Sequence, residues 1–284
     1  MNRPKPIATF LIALLVLSAD AQERIPAGPP PNGPTFDVVS IKRVTEIRNR
    51  RSVGEQPGGR FVISGMAVAP AIREAYPADT SDLINAPAWV LNEVYDLEAR
   101  AAAIADVSRE QMRSMLQAML ADRFKLAVHY EVQQRPVYAM VVARADGRLG
   151  PNLRRSELDC EAIQAARRAG SKDTLPPTAL GGPPCGMSMR GSVGMEVLIG
   201  GQPLSRLASS FGSGLDRVVV DRTGLTGNYE VKLTYMPQPR PDAPADAPPN
   251  IFTALQEQLG LKLEPDRAPL KVLVIDRIER PADN

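Results

Sequence analysis

The chain has 284 residues, of which 44% are hydrophobic and 23% are charged. This composition is that of a globular protein long enough for one large or two ordinary domains, and it excludes wholesale disorder. The formal net charge of +2 is too balanced for nucleic acid or an anionic membrane to be the main partner.

The N-terminus has the pattern of a secretory signal peptide. Two basic residues precede an apolar run at residues 7–17, and the small residues Ala19 and Ala21 occupy the two positions that a signal peptidase reads. We therefore expect residues 1–21 to be removed and the protein to be exported to the periplasm or the medium. An uncleaved anchor is the alternative, although the run is short for a membrane span. No later stretch is apolar enough to cross a bilayer.

Residues 22–35 are rich in Pro and Gly and predict a flexible leader into the fold. The first half, residues 36–149, then alternates strand and helix patterns. Strands are expected near residues 36–42, 60–64 and 95–99, and a helix is expected to end near Tyr76, where Pro77 stops it.

The strongest local signal is the stretch 108–131. Ser108 and Gln111 have the spacing of a capping box, which predicts a helix that starts at Ser108. Apolar residues at three- and four-residue intervals then predict one buried helix face: Met112, Met115, Leu116, Met119 and Leu120. After Arg123 the pattern alternates as in a strand. It predicts one face with Leu126, Val128, Tyr130 and Val132, and the opposite face with Lys125, His129 and Glu131.

Residues 150–184 are expected to be a linker between two halves. Cys160 and Cys185 are the chain's two cysteines, and export would place them in an oxidising compartment. A disulfide between them is the first expectation. Two free thiols are the alternative, because spacing alone does not establish bridging geometry.

The second half, residues 185–284, repeats the order of the first. Four blocks match in the same order, the clearest being residues 116–126 with 255–263, and residues 135–142 with 268–275. We interpret this as an internal duplication of domain length. The largest difference is a Pro-rich insert at residues 237–249, which favours an exposed linker. The expected fold class is α+β, in two tandem, internally duplicated units of order strand-strand-helix-strand-strand-helix-strand-strand.

Seven segments carry a resemblance to a known family: FDV at 36–38, GGRF at 58–61, YDLEA at 95–99, MLQAMLADRFKL at 115–126, PVY at 136–138, VDRTGLTGNY at 220–229 and FTALQEQLGLKL at 252–263. Together they resemble the soil-associated acidobacterial family of uncharacterised secreted proteins, over nearly the whole mature chain. That family also occurs as an extracytoplasmic region attached to membrane metallopeptidase sensors of the antibiotic-sensor type. The resemblance implies an envelope setting and a sensing role, but no catalytic residue.

His129 is the single histidine, so a zinc site built on several imidazoles is excluded. His129 shares its strand face with Lys125 and Glu131, and this pattern predicts that it lies on the protein surface. A catalytic base is the alternative. There is no Asp-rich calcium loop. We expect no metal and no cofactor.

The most motif-like loop contains Asp221, Arg222 and Thr223, followed by two glycines. A tight reversal between strands explains these residues, and a loop that offers backbone N–H groups to an anion is the alternative. Trp89, the lone tryptophan, is expected to pack its turn onto the core, with a ligand platform as the alternative. If the protein binds a ligand through such loops, these four residues are the candidates.

Three functions remain open. The first is a non-enzymatic envelope module that binds a protein or ligand in the groove between its two halves. The second is an enzyme that acts on an envelope substrate through carboxylates, with Asp96, Glu98 or Asp221 as candidates. The third is a structural protein that self-associates.

Overall fold

The computed structural model describes residues 24–29, 33–44, 51–101, 107–171, 175–191, 194–211, 214–237 and 247–282. The signal peptide expected at residues 1–21 and the centre of the Pro-rich insert, residues 238–246, lie outside this part of the chain. Within it, no helix is both long enough and apolar enough to cross a membrane.

The protein is of mixed α+β class, as the sequence predicts. The strands are β1 (Ile25–Ala27), β2 (Phe36–Arg43), β3 (Ser52–Gln56), β4 (Arg60–Met66), β5 (Leu83–Ile84), β6 (Tyr95–Ala101), β7 (Ala127–Val142), β8 (Leu153–Arg155), β9 (Gly186–Gly191), β10 (Met195–Gln202), β11 (Val218–Asp221), β12 (Tyr229–Tyr235) and β13 (Leu261–Arg277). The helices are α1 (Ala69–Ala75), α2 (Ala88–Asn92), α3 (Arg109–Arg123), α4 (Cys160–Arg168), α5 (Leu204–Ser210) and α6 (Ile251–Ala254), which continues into a π-helical turn (Leu255–Leu259).

These strands form three sheets. The first-half sheet has the order β2-β6-β4-β3, and the second-half sheet has the order β8-β12-β10-β9. The third, which we call the shared sheet, has the order β1-β7-β13-β5, with β11 added parallel to β7. Strands from both halves of the chain therefore meet in the shared sheet.

The centre of the shared sheet is an antiparallel pair of long strands. β7 has 16 residues and β13 has 17, and they pair along almost their full lengths. Each is one continuous strand where the sequence predicts two. Pro136 and Pro269 lie near the middle and have no N–H to donate, so the sequence pattern indicates an interruption. The antiparallel partner holds both strands in register across these positions.

Two hydrophobic cores lie against this pair, and each contains residues from both halves. The first core is built on α1, α3 and the first-half sheet, and it includes Leu273 and Ile275 of β13. The second core is built on α5, α6 and the second-half sheet, and it includes Met140 of β7. Because burial of such side chains stabilises a fold by about 1.5–3 kcal/mol each, the two halves depend on each other for stability.

Part of the expected flexible leader is ordered. The tripeptide Ile25–Ala27 forms β1, which pairs antiparallel with residues 128–130 of β7. Pro and Gly around it give a loop-like composition, but Ile25 and Ala27 suit an edge strand, and the edge of β7 supplies the hydrogen-bonding partners. Composition alone does not report such a partner.

Helix α3 begins where the capping box predicts. The Ser108 side chain accepts a hydrogen bond from the Gln111 backbone N–H at 3.2 Å, and the Gln111 side chain accepts one from the Ser108 N–H at 2.9 Å. The five apolar residues expected on one face are all buried. They pack against α1 and the first-half sheet, so this helix closes the first core.

We expect Ser108→Ala to lower the free energy of unfolding by about 1 kcal/mol, because the Gln111 N–H loses its acceptor and gains no other. Urea denaturation followed by circular dichroism measures the change. Arg109→Ala, at the next and exposed position, is the matched control and should change stability by less than about 0.5 kcal/mol. Equal losses in both variants would contradict a specific capping role.

The predicted disulfide is confirmed. Cys160 and Cys185 are bonded at an S–S distance of 2.01 Å with their Cα atoms 5.3 Å apart, within the usual range for such a bridge. Cys160 is the first residue of α4, and Asp159 caps this helix by accepting a hydrogen bond from the Ala162 N–H. The linker also packs closely on β10, since a Cβ added to Gly182 would lie 2.9 Å from the Ile199 backbone.

Candidate functional site

A large cavity lies between the two halves, with a volume of about 1120 Å³. We call it the central groove. Its walls are residues 76–83 from the first half and residues 215–221 from the second, together with side chains of α1 and α5. Arg135, Pro136 and Leu270, near the middle of β7 and β13, also line it. The shared sheet thus places loops from distant parts of the chain around one opening.

The charges in the central groove nearly cancel, because its lining includes three arginines and four aspartates. Arg135 pairs with Asp82 at 2.7 Å, and Arg217 pairs with Asp216 at 3.4 Å. Arg73 differs from these two arginines. Its Nε donates a hydrogen bond to the Ser81 carbonyl at 2.7 Å, and within the described residues no carboxylate forms an ion pair with it.

One tyrosine, Tyr76, lines the groove, and a second, Tyr138, contacts two residues of its wall. Tyr76 is buried in its wall, and this burial, with a smaller contribution from Tyr130, raises the pKa of Tyr76 to about 12. Burial and a hydrogen bond to Asp216 also raise the pKa of Tyr138, whose ring lies 5.2 Å from the Arg217 guanidinium. Both phenols are therefore neutral at pH 7. Neither phenol therefore adds charge to the groove wall.

Of the loop Asp221 to Thr223, only Asp221 lines the central groove. Its Oδ1 accepts hydrogen bonds from the Thr223 N–H at 3.0 Å and from the Thr223 hydroxyl at 2.8 Å. Arg222 instead pairs with Asp266 at 3.3 Å. The carboxylate thus holds the reversal after β11, as expected for a turn, and it also contributes charge to one end of the groove.

Trp89 lies apart from the central groove. It is half-buried in α2 and packs against the first core, while the Arg280 guanidinium lies 5.3 Å from its ring. Arg280 also donates hydrogen bonds to Glu93, the shortest at 2.8 Å. These contacts explain Trp89 as a packing residue that secures the end of the chain. The structure does not bring it together with Asp221, Arg222 or Thr223.

The other candidate carboxylates lie on the outer face of the first-half sheet. The Glu98 side chain is 45% exposed and pairs with Arg60 at 2.8 Å and Arg100 at 3.3 Å. Asp96 accepts a hydrogen bond from the Gly65 N–H at 2.9 Å. Neither residue lines the central groove.

The prediction that His129 lies on the surface is wrong. His129 is 7% exposed and its neighbour Glu131 is 8% exposed. The His129 Nδ1 lies 2.9 Å from Asp276 Oδ2, and its Nε2 lies 3.0 Å from Glu131 Oε1. β1 and β13 flank this position of β7 on both sides, opposite Pro26 and Val274. The sequence pattern predicts that the face of β7 with His129 is exposed, but the two flanking strands bury it.

Both ring nitrogens of His129 face carboxylate oxygens, an arrangement that favours the imidazolium form, in which both nitrogens donate a proton. The hydrogen bond to Asp276, and then that to Glu131, raise the pKa of His129. The pKa of Glu131 is lowered, first by His129 and then by Gln133, whose amide donates to it at 2.8 Å. Within the described residues no three His, Cys, Asp or Glu side chains are grouped to hold a metal ion. This cluster is an internal ionic network.

The candidates from the sequence did not include the groove walls at residues 76–82 and 215–217. They also did not include Asp276, the partner of His129. The duplication expected from the sequence is the one signal that points to the walls, because one wall follows α1 and the other follows α5. Asp276 has no local signal, since only the register of β13 against β7 brings it to His129.

Fold and site together define a disulfide-bonded α+β protein whose two halves share a sheet and enclose a groove between them. Residues 70–278 match a family described as "Protein of unknown function (DUF3738)". The match covers most of the chain, and the protein belongs to this family. No curated protein and no solved structure matches the chain.

Proposed function

We propose that this protein is a non-enzymatic binding module of the cell envelope that holds a ligand or partner in the central groove. The groove of about 1120 Å³ between the two halves is the observation that carries the proposal. Its position between two structural units and its mixture of apolar and polar walls are typical of binding sites. The Cys160–Cys185 disulfide fits export through a signal peptide at residues 1–21, to the periplasm or the medium.

We further infer that the two halves arose by duplication and that the groove lies near their approximate two-fold axis. Residues 135–142 and 268–275, which match in sequence, belong to the two paired strands, and Arg135 directly faces Ala268. β5 adds parallel to β13, and β11 adds parallel to β7. The groove walls are the segments just before these two short strands, so corresponding parts of each half face one opening.

The alternatives have less support from the geometry. Catalysis through Asp96 and Glu98 would take place on an open sheet face, and Asp221 is engaged by Thr223. For self-association, the large hydrophobic side chains that are exposed in the described part of the chain are spread over separate elements, from Ile25 in β1 to Phe252 in α6. An envelope sensor region, the setting that the family resemblance implies, fits a binding module well.

We expect a photo-crosslinking amino acid at Ser205, an exposed groove residue on α5, to capture the occupant in intact envelopes. The same amino acid at Arg206, the next position and outside the groove lining, is the matched control. Intact-mass spectrometry distinguishes a small adduct from a protein adduct. An adduct at Ser205 that is absent at Arg206 supports the proposal. Equal capture at both positions, or only links between copies of this chain, would overturn it.

A further inference from the structure

β11 is an edge strand with one unused side. It pairs parallel with residues 137–140 of β7, and no other described strand pairs with it. Its residues Val218, Val219 and Val220 are apolar, and all four of its residues line the central groove. Proteins usually protect such edges with charge, proline or a covering segment, because an open edge accepts another strand.

Backbone groups alternate in direction along β11, and this alternation shows which N–H and C=O groups do not bond to β7. The Arg222 N–H donates to the Met140 carbonyl at 2.9 Å, so even-numbered residues turn their backbone groups toward β7. Val219 and Asp221 therefore turn theirs away from β7. Among the described residues these outward N–H and C=O groups have no hydrogen-bond partner, although they belong to a strand at the wall of a cavity.

The groove has room beside this edge. The α5 residues that line it are small, namely Ser205, Ala208 and Ser209. Its volume of about 1120 Å³ exceeds that of common small-molecule sites, which is about 300–1,000 Å³. An extended chain rises about 3.3 Å per residue, so a short segment with several side chains fits better than a compact metabolite.

The charges define the segment further. Asp216 and Asp82 already have arginine partners within the groove. Arg73 donates only to the Ser81 carbonyl and has no carboxylate partner among the described residues, so its remaining N–H groups suit an acidic group. Val219 packs into the second core, but Val218 and Val220 are only half-buried and favour apolar side chains in the added strand.

We propose that the occupant of the central groove is an extended, apolar polypeptide segment with an acidic residue, bound as an added strand along β11. This inference rests on the proposed binding function and names its partner class. Backbone hydrogen bonds to Val219 and Asp221 give affinity, and the acidic residue near Arg73 sets the position of the segment.

The test uses the mature chain and a phage-displayed library of random linear peptides as the probe. Peptides are selected on the wild type and then measured against Ser205→Trp, which fills the groove from α5, and Arg206→Trp, the matched control outside it. A selected peptide is then resynthesised with one N-methyl group at each position in turn. An N-methyl group removes one backbone donor and blocks pairing, without changing the side chain.

We expect binding to be lost in Ser205→Trp and kept in Arg206→Trp. We also expect N-methylation to weaken binding about tenfold or more at alternate positions only, since one edge of an added strand faces β11. Replacing the acidic residue by its amide should weaken binding to the wild type. A groove-dependent peptide without the alternating pattern would overturn strand addition and leave the binding function standing.

Selection of no groove-dependent peptide would overturn the polypeptide inference. The binding function would then be judged by the Ser205 crosslink alone, because that experiment also captures small ligands. A crosslinked small molecule together with no peptide would refute the inference and support the function. The absence of both would refute both.

Discussion

Replacing Cys160 and Cys185 by serine should lower the free energy of unfolding by about 3 kcal/mol. The bond closes a loop with a sequence separation of 25, and its loss releases the unfolded chain from that constraint. In the folded state it also anchors the linker, because both cysteines are buried and Cys160 Sγ lies 3.0 Å from the Gly201 carbonyl oxygen. The linker packs on β10, whose residues Val197 and Ile199 belong to the second core.

Urea denaturation of the double variant, compared with the wild type with and without a thiol reductant, measures this effect. The reduced wild type should behave like the double variant, because both lack the covalent bond. The oxidised wild type should keep its higher midpoint, with a smaller denaturant slope because its cross-linked unfolded chain exposes less surface. Unchanged stability in the double variant would show that the linker contributes little to the fold.

His129→Gln should cost about 2 kcal/mol of stability, because two carboxylates then lose a charged donor. Glutamine has an amide N–H group that can reach one of them but has no positive charge. Glu131 keeps its hydrogen bond from Gln133, and Asp276 is partly exposed to water, which limits the loss. Arg123→Gln, which removes an exposed charge from the nearby α3, is the control and should be nearly neutral.

The stability that the His129 network contributes should depend on pH. The folded-state pKa of His129 is raised above 6.5, so its stabilising effect is complete below about pH 6.5 and is lost as pH rises through the folded pKa. The pKa of Glu131 is lowered below 4.5, so its effect is complete above about pH 4.5 and is lost as pH falls through its folded pKa. The network contributes most between these two values.

We therefore expect the difference in stability between wild type and His129→Gln to be largest near pH 5.5 and to shrink toward pH 9. Denaturation curves of both proteins across this range measure the difference directly, and pH effects of other groups cancel in the subtraction. A difference that stays constant with pH would contradict an imidazolium between two carboxylates.

Local signals in the sequence were sufficient for the local structure. The capping box fixed the start of α3 at Ser108, and the apolar spacing identified its buried face. The cysteines predicted the disulfide, and the strand patterns located β2, β4 and β6. For the helix and the strands, the residues that determine the structure lie within a few positions of one another, so the pattern contains the relevant contacts. The disulfide was predictable for a different reason, because the chain has two cysteines.

The features that the sequence did not predict depend on pairing between strands that are distant in the chain. The alternation around His129 describes one face of an isolated strand correctly, but β1 and β13 then bury that face. For the same reason Asp221 reaches the central groove while Trp89 does not, since β11 joins β7 and α2 packs against the first core. The site depends on the register of β7 against β13, which no local pattern encodes.

Each core contains residues from both halves of the chain, and this arrangement affects the rate of folding. β7 finds its main partner in β13, more than a hundred residues later, and the first core is completed by Leu273 and Ile275. Such distant pairing gives a high contact order, which slows folding because a large loop must close before its contacts form. A chain that emerges N-terminus first therefore exposes an incomplete first core until β13 has been synthesised. Among the described strands, β13 is thus the one whose pairing completes both the shared sheet and the first core.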